Sequence, residues 1–500
     1  MPKPDRQTAN LTAGCTGSRR EFLWEMGAGF AGLALTGMLD TDGFFARHAY
    51  AAENSQRTHF MDPLSQRPAH SLGRAKRCIF IFQYGGPSAV DTWDYKPELQ
   101  KRDGQTVDIE VRRNTVQQKT ILASRRKFKR CGESGLWCSD AFPYMSQIMD
   151  ELCVIKSLYA DTFTHGSGML QMNTGQVIQG YPSLGSWLGY GLGSAANNLP
   201  GYVVMLDPRG GPISGSANWM SGFMPAAYQG THLRNQGEPI LNLSPSTKVT
   251  RKMQRKELDT LAHLNGKHLQ DRPGYSELPA RIASYELAYQ LQISAPEAMD
   301  LSAEDHKTQE MYGLFDPKPA EEMSVGPAPF GQQCLIARRL LERGVRYVQI
   351  YSGGGHQQES WDAHYGMEEN LRIHGPEIDR PLYGLLTDLK RRGMLDDTLV
   401  ICGGEFGRQP VSEFHGGRDH NPQGFLYWLA GGGVKAGHSY GELDELGYAA
   451  SQDRHHIRDL HATILHLMGL DHEKLTYFYG GLDHKLTGVK PAEVIRGIVA

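Results

Sequence analysis

The chain has 500 residues, 40% of them hydrophobic and 21% charged, which fits one large α/β domain with insertions, or two domains. A formal net charge of −3 gives no electrostatic case for nucleic acid, and no apolar run after the N-terminus is long enough to span a bilayer. The 58 glycines predict many tight turns and loops.

Residues 1–51 read as an export signal. Ser18-Arg19-Arg20-Glu21-Phe22-Leu23 is a twin-arginine pattern, the mildly apolar Met26 to Leu39 follows, and Ala49-Tyr50-Ala51 offers an A-x-A cleavage site. This order predicts passage through the Tat translocon to the periplasm or cell surface. The mature chain is expected to carry no membrane span. Residues 52–74 are polar and read as a tether. Cys15 would be lost with the signal. Cys78, Cys153 and Cys402 lie in or beside apolar runs and read as buried small hydrophobes. Cys131 and Cys138 share a loop and suit a disulfide outside the cytoplasm, on spacing alone. No C-x-x-C occurs, so a cysteine zinc site is not expected.

Cys78 to Gln83 is the first apolar run of strand length, and it enters Gly85-Gly86-Pro87-Ser88, then Asp91 and Asp94. Paired acids after a strand and glycine turn make a metal or substrate edge; turn formation or helix capping is the alternative for each acid. Lys96 to Trp137 is basic and polar and reads as an irregular excursion, Ala141 to Asp150 as a helix, and Leu152 to Leu158 as a second strand. Thr164-His165-Gly-Ser167 precedes Thr174-Gly175, and Ser183 to Gly193 is a glycine-broken helix before a strand at Tyr202 to Leu206. Residues 207–325 turn rich in Asn, Gly, Gln and Pro and read as an insertion or lid, with a helical pattern at Arg281 to Ile293. A helix at Cys334 to Arg343 leads to a strand at Val345 to Tyr351, then to Asp362 and His364. An amphipathic helix over Ile378 to Arg392 leads to the strand Leu399 to Cys402, which ends before Glu405 and Arg408. Arg418-Asp419-His420 precedes the strand Phe425 to Ala430, and a helix over Arg458 to Met468 closes the pattern. Strands alternating with helices predict a mostly parallel sheet covered on both faces.

Asp91, Asp94, His165, Asp362, His364, Glu405 and His420 all sit at strand-to-loop transitions, where a doubly wound sheet brings ligands to one edge. Carboxylates mixed with imidazoles suit zinc, manganese or iron; all-oxygen sets suit magnesium or calcium. A turn carboxylate paired with Arg408 is the alternative for Glu405.

The order Asp362 and His364, Leu395 to Ile401, Glu405, His420, Gly431 to Gly437, and Asp459 to Gly469 resembles the C-terminal half of the alkaline phosphatase and sulfatase superfamily. More closely, Gly85-Gly-Pro-Ser88 with Asp91-Thr-Trp-Asp94, Gly404-Glu-Phe-Gly-Arg408 and Gly417-Arg-Asp-His-Asn-Pro422 resemble the DUF1501 family, exported bacterial proteins abundant in planctomycetes. The resemblance implies an alkaline-phosphatase-like three-layer α/β/α sandwich over 75–490, with a mostly parallel sheet and irregular insertions. It implies a divalent metal (zinc, manganese, calcium or magnesium) on Asp362, His364, Glu405 and His420, completed by Asp91 or Asp94. It also implies an anion held by Arg408 or Arg418 with Ser88 nearby. The substrate would be a small-molecule or polysaccharide phosphate or sulfate ester. Counting back nine residues from Thr174 puts His165 where the superfamily has its nucleophile, with Thr164 and Ser167 beside it; a metal-ligand role for His165 is the other option. Two departures bear on this. Gln83-Tyr84-Gly85 stands where superfamily enzymes carry an Asp, and no C/S-x-P-x-R occurs, so a formylglycine sulfatase is not expected. The rival reading is a degenerate member that binds glycan or a cell-surface partner without turnover.

Overall fold

The computed structural model describes residues 64–111, 115–196, 198–234, 240, 249–271 and 277–500. The twin-arginine segment, the A-x-A site and the first part of the tether lie outside the described residues.

The apolar runs form one nine-stranded sheet. Its main strands are β1 (Arg77–Gln83), β2 (Leu152–Tyr159), β3 (Tyr202–Met205), β4 (Thr231–Leu233), β5 (Tyr347–Ser352), β6 (Thr398–Gly403), β7 (Phe425–Ala430) and β8 (His438–Tyr440). Their order across the sheet is β8-β2-β7-β6-β1-β5-β3-β4, and His455–His456 adds a short ninth strand on β2. β1 lies at the centre, parallel to both neighbours, with Cys78 opposite Leu399 on one side and Tyr347 on the other. A strand covered on both faces is apolar at every position, which is why these runs do not alternate.

Side chains divide by parity between two cores. Ile79 and Ile81 join Val348, Val400 and Cys402 under α5 (Pro327–Glu342) and α6 (Met367–Arg391). Phe80 and Phe82 join Tyr347, Leu399 and Ile401 under α1 (His165–Thr174), α2 (Leu184–Leu192) and α7 (Ile457–Leu467). Helices on both faces of a mostly parallel sheet make a mixed α/β, three-layer sandwich. Two further long helices, α3 (Arg251–Asp271) and α4 (Glu277–Met299), pack on each other within 207–325, a segment that also supplies the edge strand β4.

One strand runs the other way. β7 is antiparallel to β6 and to β2, with Ile401 opposite Leu429 and Val154 opposite Trp428. The chain between β6 and β7 holds no helix to carry it back across the sheet, so the next strand returns in the opposite direction. The start of β7 therefore lies at the same edge as the ends of β1, β2, β5 and β6.

Three local expectations, the Cys131–Cys138 disulfide among them, differ from the structure. Ala141 to Asp150 holds two single 3-10 turns, Met145–Gln147 and Met149–Glu151, in place of a helix. The excursion after Lys96 contains two hairpins, Thr106–Val111 with Thr115–Thr120 and Phe128–Cys131 with Leu136–Ser139. Cys131 and Cys138 lie in the second hairpin as free, buried thiols, like Cys78, Cys153, Cys334 and Cys402. No described helix is long and apolar enough to cross a membrane.

Candidate metal centre

Four side chains meet at the strand-end edge. His165 opens α1 after β2, Asp362 and His364 follow β5, and His420 precedes β7. One ligand atom from each lies within 4.8 Å of the others. Asp362 Oδ1 is 3.2 Å from His165 Nε2 and 3.1 Å from Nε2 of both His364 and His420. The His364 and His420 Nε2 atoms are 2.8 Å apart.

Each imidazole is gripped from behind at Nδ1. His165 Nδ1 donates to Glu405 Oε1 at 2.5 Å, His364 Nδ1 to Glu413 Oε2 at 2.5 Å, and His420 Nδ1 to the Phe163 carbonyl at 2.7 Å. Carboxylates and carbonyls only accept, so the Nδ1 atoms carry protons; the Nε2 atoms face Asp362, where each can share a proton with the carboxylate or offer its lone pair to a cation. An acceptor on the far nitrogen is what metal-ligating histidines use to fix tautomer and ring angle. His165 Nε2 is buried and faces Asp362 Oδ1 at 3.2 Å, so it too points into the cluster. The residues present therefore fit a divalent ion.

Glu405 stands behind this set. Its carboxylate, fully buried, accepts from the Gly85 backbone N–H at 3.0 and 3.2 Å as well as from His165. Gly85 turns with φ of 111°, and a Cβ there would lie 2.4 Å from the Asp362 backbone nitrogen. Only glycine fits between β1 and the Asp362 loop.

Burial would raise the Asp362 carboxyl, but the Arg408 charge and the three histidines outweigh it and hold it well below the usual range. Burial would lower His364, but its bonds to Asp362 and Glu413 outweigh that and push it up to about 9. His420 is held low by burial and by the neighbouring Arg408 and His165 charges, despite its bond to Asp362.

Asp362, His364 and His420 come together, and His165 joins them as a fourth member. His165 Nδ1 is held by Glu405 and Nε2 faces Asp362, a placement that favours its ligand role over its role as nucleophile. Asp91 lies elsewhere: its carboxylate receives Arg418 Nε at 2.7 Å and Nη2 at 3.2 Å, with the Ser88 hydroxyl on the same group. Arg418 is buried, and its other bonds go to the Gln409 and Leu122 carbonyls. Asp94 is paired with Lys96 at 3.0 Å and Lys156 at 3.6 Å. Arg408 is also buried and donates to the Gly85, Gly86 and Arg418 carbonyls and to Asp362. Asp91, Asp94, Ser88 and Arg418 are thus consumed in internal contacts, and Arg408 braces Asp362. Two partners had no sequence signal: Glu413, in a polar loop without local pattern, and the backbone carbonyl of Phe163.

Fold and cluster together define an α/β protein with an imidazole–carboxylate centre at the sheet edge. The chain belongs to the DUF1501 family, described as "Protein of unknown function (DUF1501)", which matches residues 75–499. No curated protein matches it. Similar solved structures include the PsFucS1 sulfatase from Pseudoalteromonas sp., at 13% identity over 83% of this chain and 72% of that one, with a TM-score of 0.36. Another is a protein in the alkaline phosphatase superfamily from Vibrio parahaemolyticus, at 11% identity over 83% and 74%, with a TM-score of 0.32. The phosphonate monoester hydrolase SpPMH from Silicibacter pomeroyi matches at 13% identity over 66% and 68%, with a TM-score of 0.29.

Proposed function

We propose that this chain is an exported, metal-dependent hydrolase of phosphate or sulfate esters. The supporting observation is the convergence of three imidazole Nε2 atoms and one carboxylate oxygen, each imidazole fixed at Nδ1 by an acceptor. His165, Asp362, His364 and His420 would hold one divalent ion, and three nitrogen donors suit zinc or manganese better than calcium or magnesium. Such an ion, when bound, supplies Lewis-acid polarisation of the ester.

The chain's own residues do the rest. Glu405 and Glu413 hold the Nδ1 protons of His165 and His364, and Arg408 keeps Asp362 ionised. The nucleophile role passes from His165 to the hydroxyls beside it. Thr164 Oγ1 and Ser167 Oγ are 2.5 Å apart at the start of α1, and Thr162 Oγ1 lies 3.2 Å from each. Thr164, Ser167 and His420 line one cavity, so an ester there meets hydroxyl and imidazole together.

The test is elemental analysis of protein recovered after export, followed by metal removal, reconstitution with each of the four ions, and assay on p-nitrophenyl phosphate and sulfate. About one equivalent of ion is expected, with turnover abolished in His420→Ala. A wild type that retains no ion and hydrolyses neither ester would sink the reading. A second reading, a member that binds glycan or a surface partner without turnover, is favoured by Arg408 and Arg418. Both are buried and bonded internally, so neither reaches for a substrate anion.

A further inference from the structure

Two aromatic side chains stand in solvent beside the metal centre: Tyr365 is 40% exposed and Phe414 55%. Each directly follows one member of the hydrogen-bonded His364–Glu413 pair, a step of about 3.8 Å between Cα atoms. Their rings are stacked, with centroids 5.3 Å apart and planes 21° apart. His415, also exposed, adds a third ring 6.0 Å from Tyr365 and 23° from its plane.

The backbone explains this grouping. In an extended segment successive side chains point to opposite sides, so Phe414 and His415 would not both meet Tyr365. His415 takes a φ of 49°, in the left-handed region that few side chains adopt, and the turn brings both rings against Tyr365. The loop is also tied down. Glu413 N–H donates to the Gly417 carbonyl at 2.8 Å, Gly417 N–H to the Phe414 carbonyl at 2.9 Å, and Met367 N–H to the Gly416 carbonyl at 3.2 Å. A Cβ on Gly417 would clash with the His364 carbonyl, so only glycine permits this approach. The rings are therefore set in place before a ligand arrives.

Size and polarity select the occupant. Two rings at about half exposure offer on the order of 200 Å², whereas a stable protein interface takes about 800 Å² from each partner. A second copy or another protein needs several times this surface; a single small ring does not. The Tyr365 hydroxyl and the His415 ring nitrogens have no hydrogen-bond partner among the described residues. An aromatic face rimmed by a hydroxyl and an imidazole suits a ring with C–H groups on its face and hydroxyls on its edge.

We infer that Tyr365, Phe414 and His415 form a stacking platform for one sugar ring of a glycan, beside the metal centre. The inference deepens the hydrolase reading by placing the sugar next to which the ester lies. It rests on that reading only for the ester, since stacking needs neither metal nor turnover.

The experiment applies labelled full chain to an array of neutral, sulfated and phosphorylated glycans, with and without EDTA, and then titrates the best-bound glycan calorimetrically. At least one glycan is expected to bind in both conditions. Phe414→Ala and Phe414→Leu are each expected to weaken it about tenfold with an unchanged melting temperature, and Phe414→Trp to retain it. Leucine keeps an apolar surface but has no ring face, so wild-type affinity in Phe414→Leu would overturn the proposal. So would the absence of any bound glycan, or AMP bound in place of one. Hydrogen exchange needs no variant: the bound glycan is expected to protect residues 363–367 and 412–417, and protection elsewhere alone would overturn the proposal. Sedimentation is expected to give wild type and Phe414→Ala the same mass; a wild-type dimer that the variant dissolves would assign the surface to a second copy and overturn it too. A glycan bound by a protein inert on every ester would count against the hydrolase reading alone. Ester turnover with no glycan bound would count against the platform alone.

Discussion

Glu413 touches no substrate, yet it sets the angle and tautomer of His364 through one hydrogen bond. Replacing it with glutamine keeps the shape and removes the charge behind the ring. Glu413→Gln is expected to lower metal affinity about 10–100-fold, read by competition with a chromophoric chelator. Unchanged affinity would remove Glu413 from the centre. His461, on α7, is buried and neutral: its Nε2 donates to the Met172 carbonyl at 2.7 Å, and its Nδ1 has no partner. Burial pushes it down to about 4, more than the Met172 carbonyl and the nearby charges of His456 and Arg458 alter. The unfolded chain binds the proton more tightly, so this contribution is complete above about pH 6.5 and lost as pH falls toward 4. That loss is about 3 kcal/mol. His461→Gln cannot take up the proton, so its urea stability should vary less between these pH values than that of the wild type. Parallel curves would show that His461 does not drive the acid sensitivity.

At the scale of elements, Arg418 and Asp91 tie the loop before β7 to the short helix Ala89–Thr92 after β1. Both groups are buried, so their value lies in being paired. Asp91→Ala leaves a guanidinium without a counter-charge and should cost about 3–5 kcal/mol in urea unfolding. A loss under 1 kcal/mol, roughly that of a surface pair, would mean that solvent reaches Arg418. Arg408 does comparable work closer to the centre, joining the Gly85–Gly86 turn, the Arg418 backbone and Asp362. The two arginines therefore hold three loops in register around the cluster.

For the whole molecule, parity along β1, β5 and β6 feeds two cores, and the reversal of β7 brings His420 to the edge where the other loops end. Export is the remaining property at this scale. If the ordered twin-arginine, apolar and A-x-A segments act as proposed, Arg19→Lys with Arg20→Lys should stop accumulation outside the cytoplasm, measured by fractionation and immunoblotting. Normal accumulation of the double variant would remove the Tat route.

The sequence by itself determined the strands β1, β2, β3, β5, β6 and β7, the covering helices α2, α5, α6 and α7, and the edge where chemistry gathers. A strand buried on both faces must be apolar throughout, and acids or histidines just past it must fall at its end, whatever packs around them. It also marked Asp362, His364 and His420 as candidates and set His165 apart by its spacing of nine residues before Thr174. Only the tertiary structure separated Asp91 from Asp362. Both are acids after a strand and a turn. One meets Arg418 and the Ser88 hydroxyl; the other meets three imidazoles and Arg408. The same holds for Glu405, which faces His165 Nδ1 and Gly85 instead of entering the ligand set, and for Glu413, which no local pattern marks. A side chain's role here depends on atoms within about 3 Å, the reach of a hydrogen bond. Those atoms come from loops far apart in the chain, brought together by the crossovers between parallel strands and by the one strand that returns antiparallel.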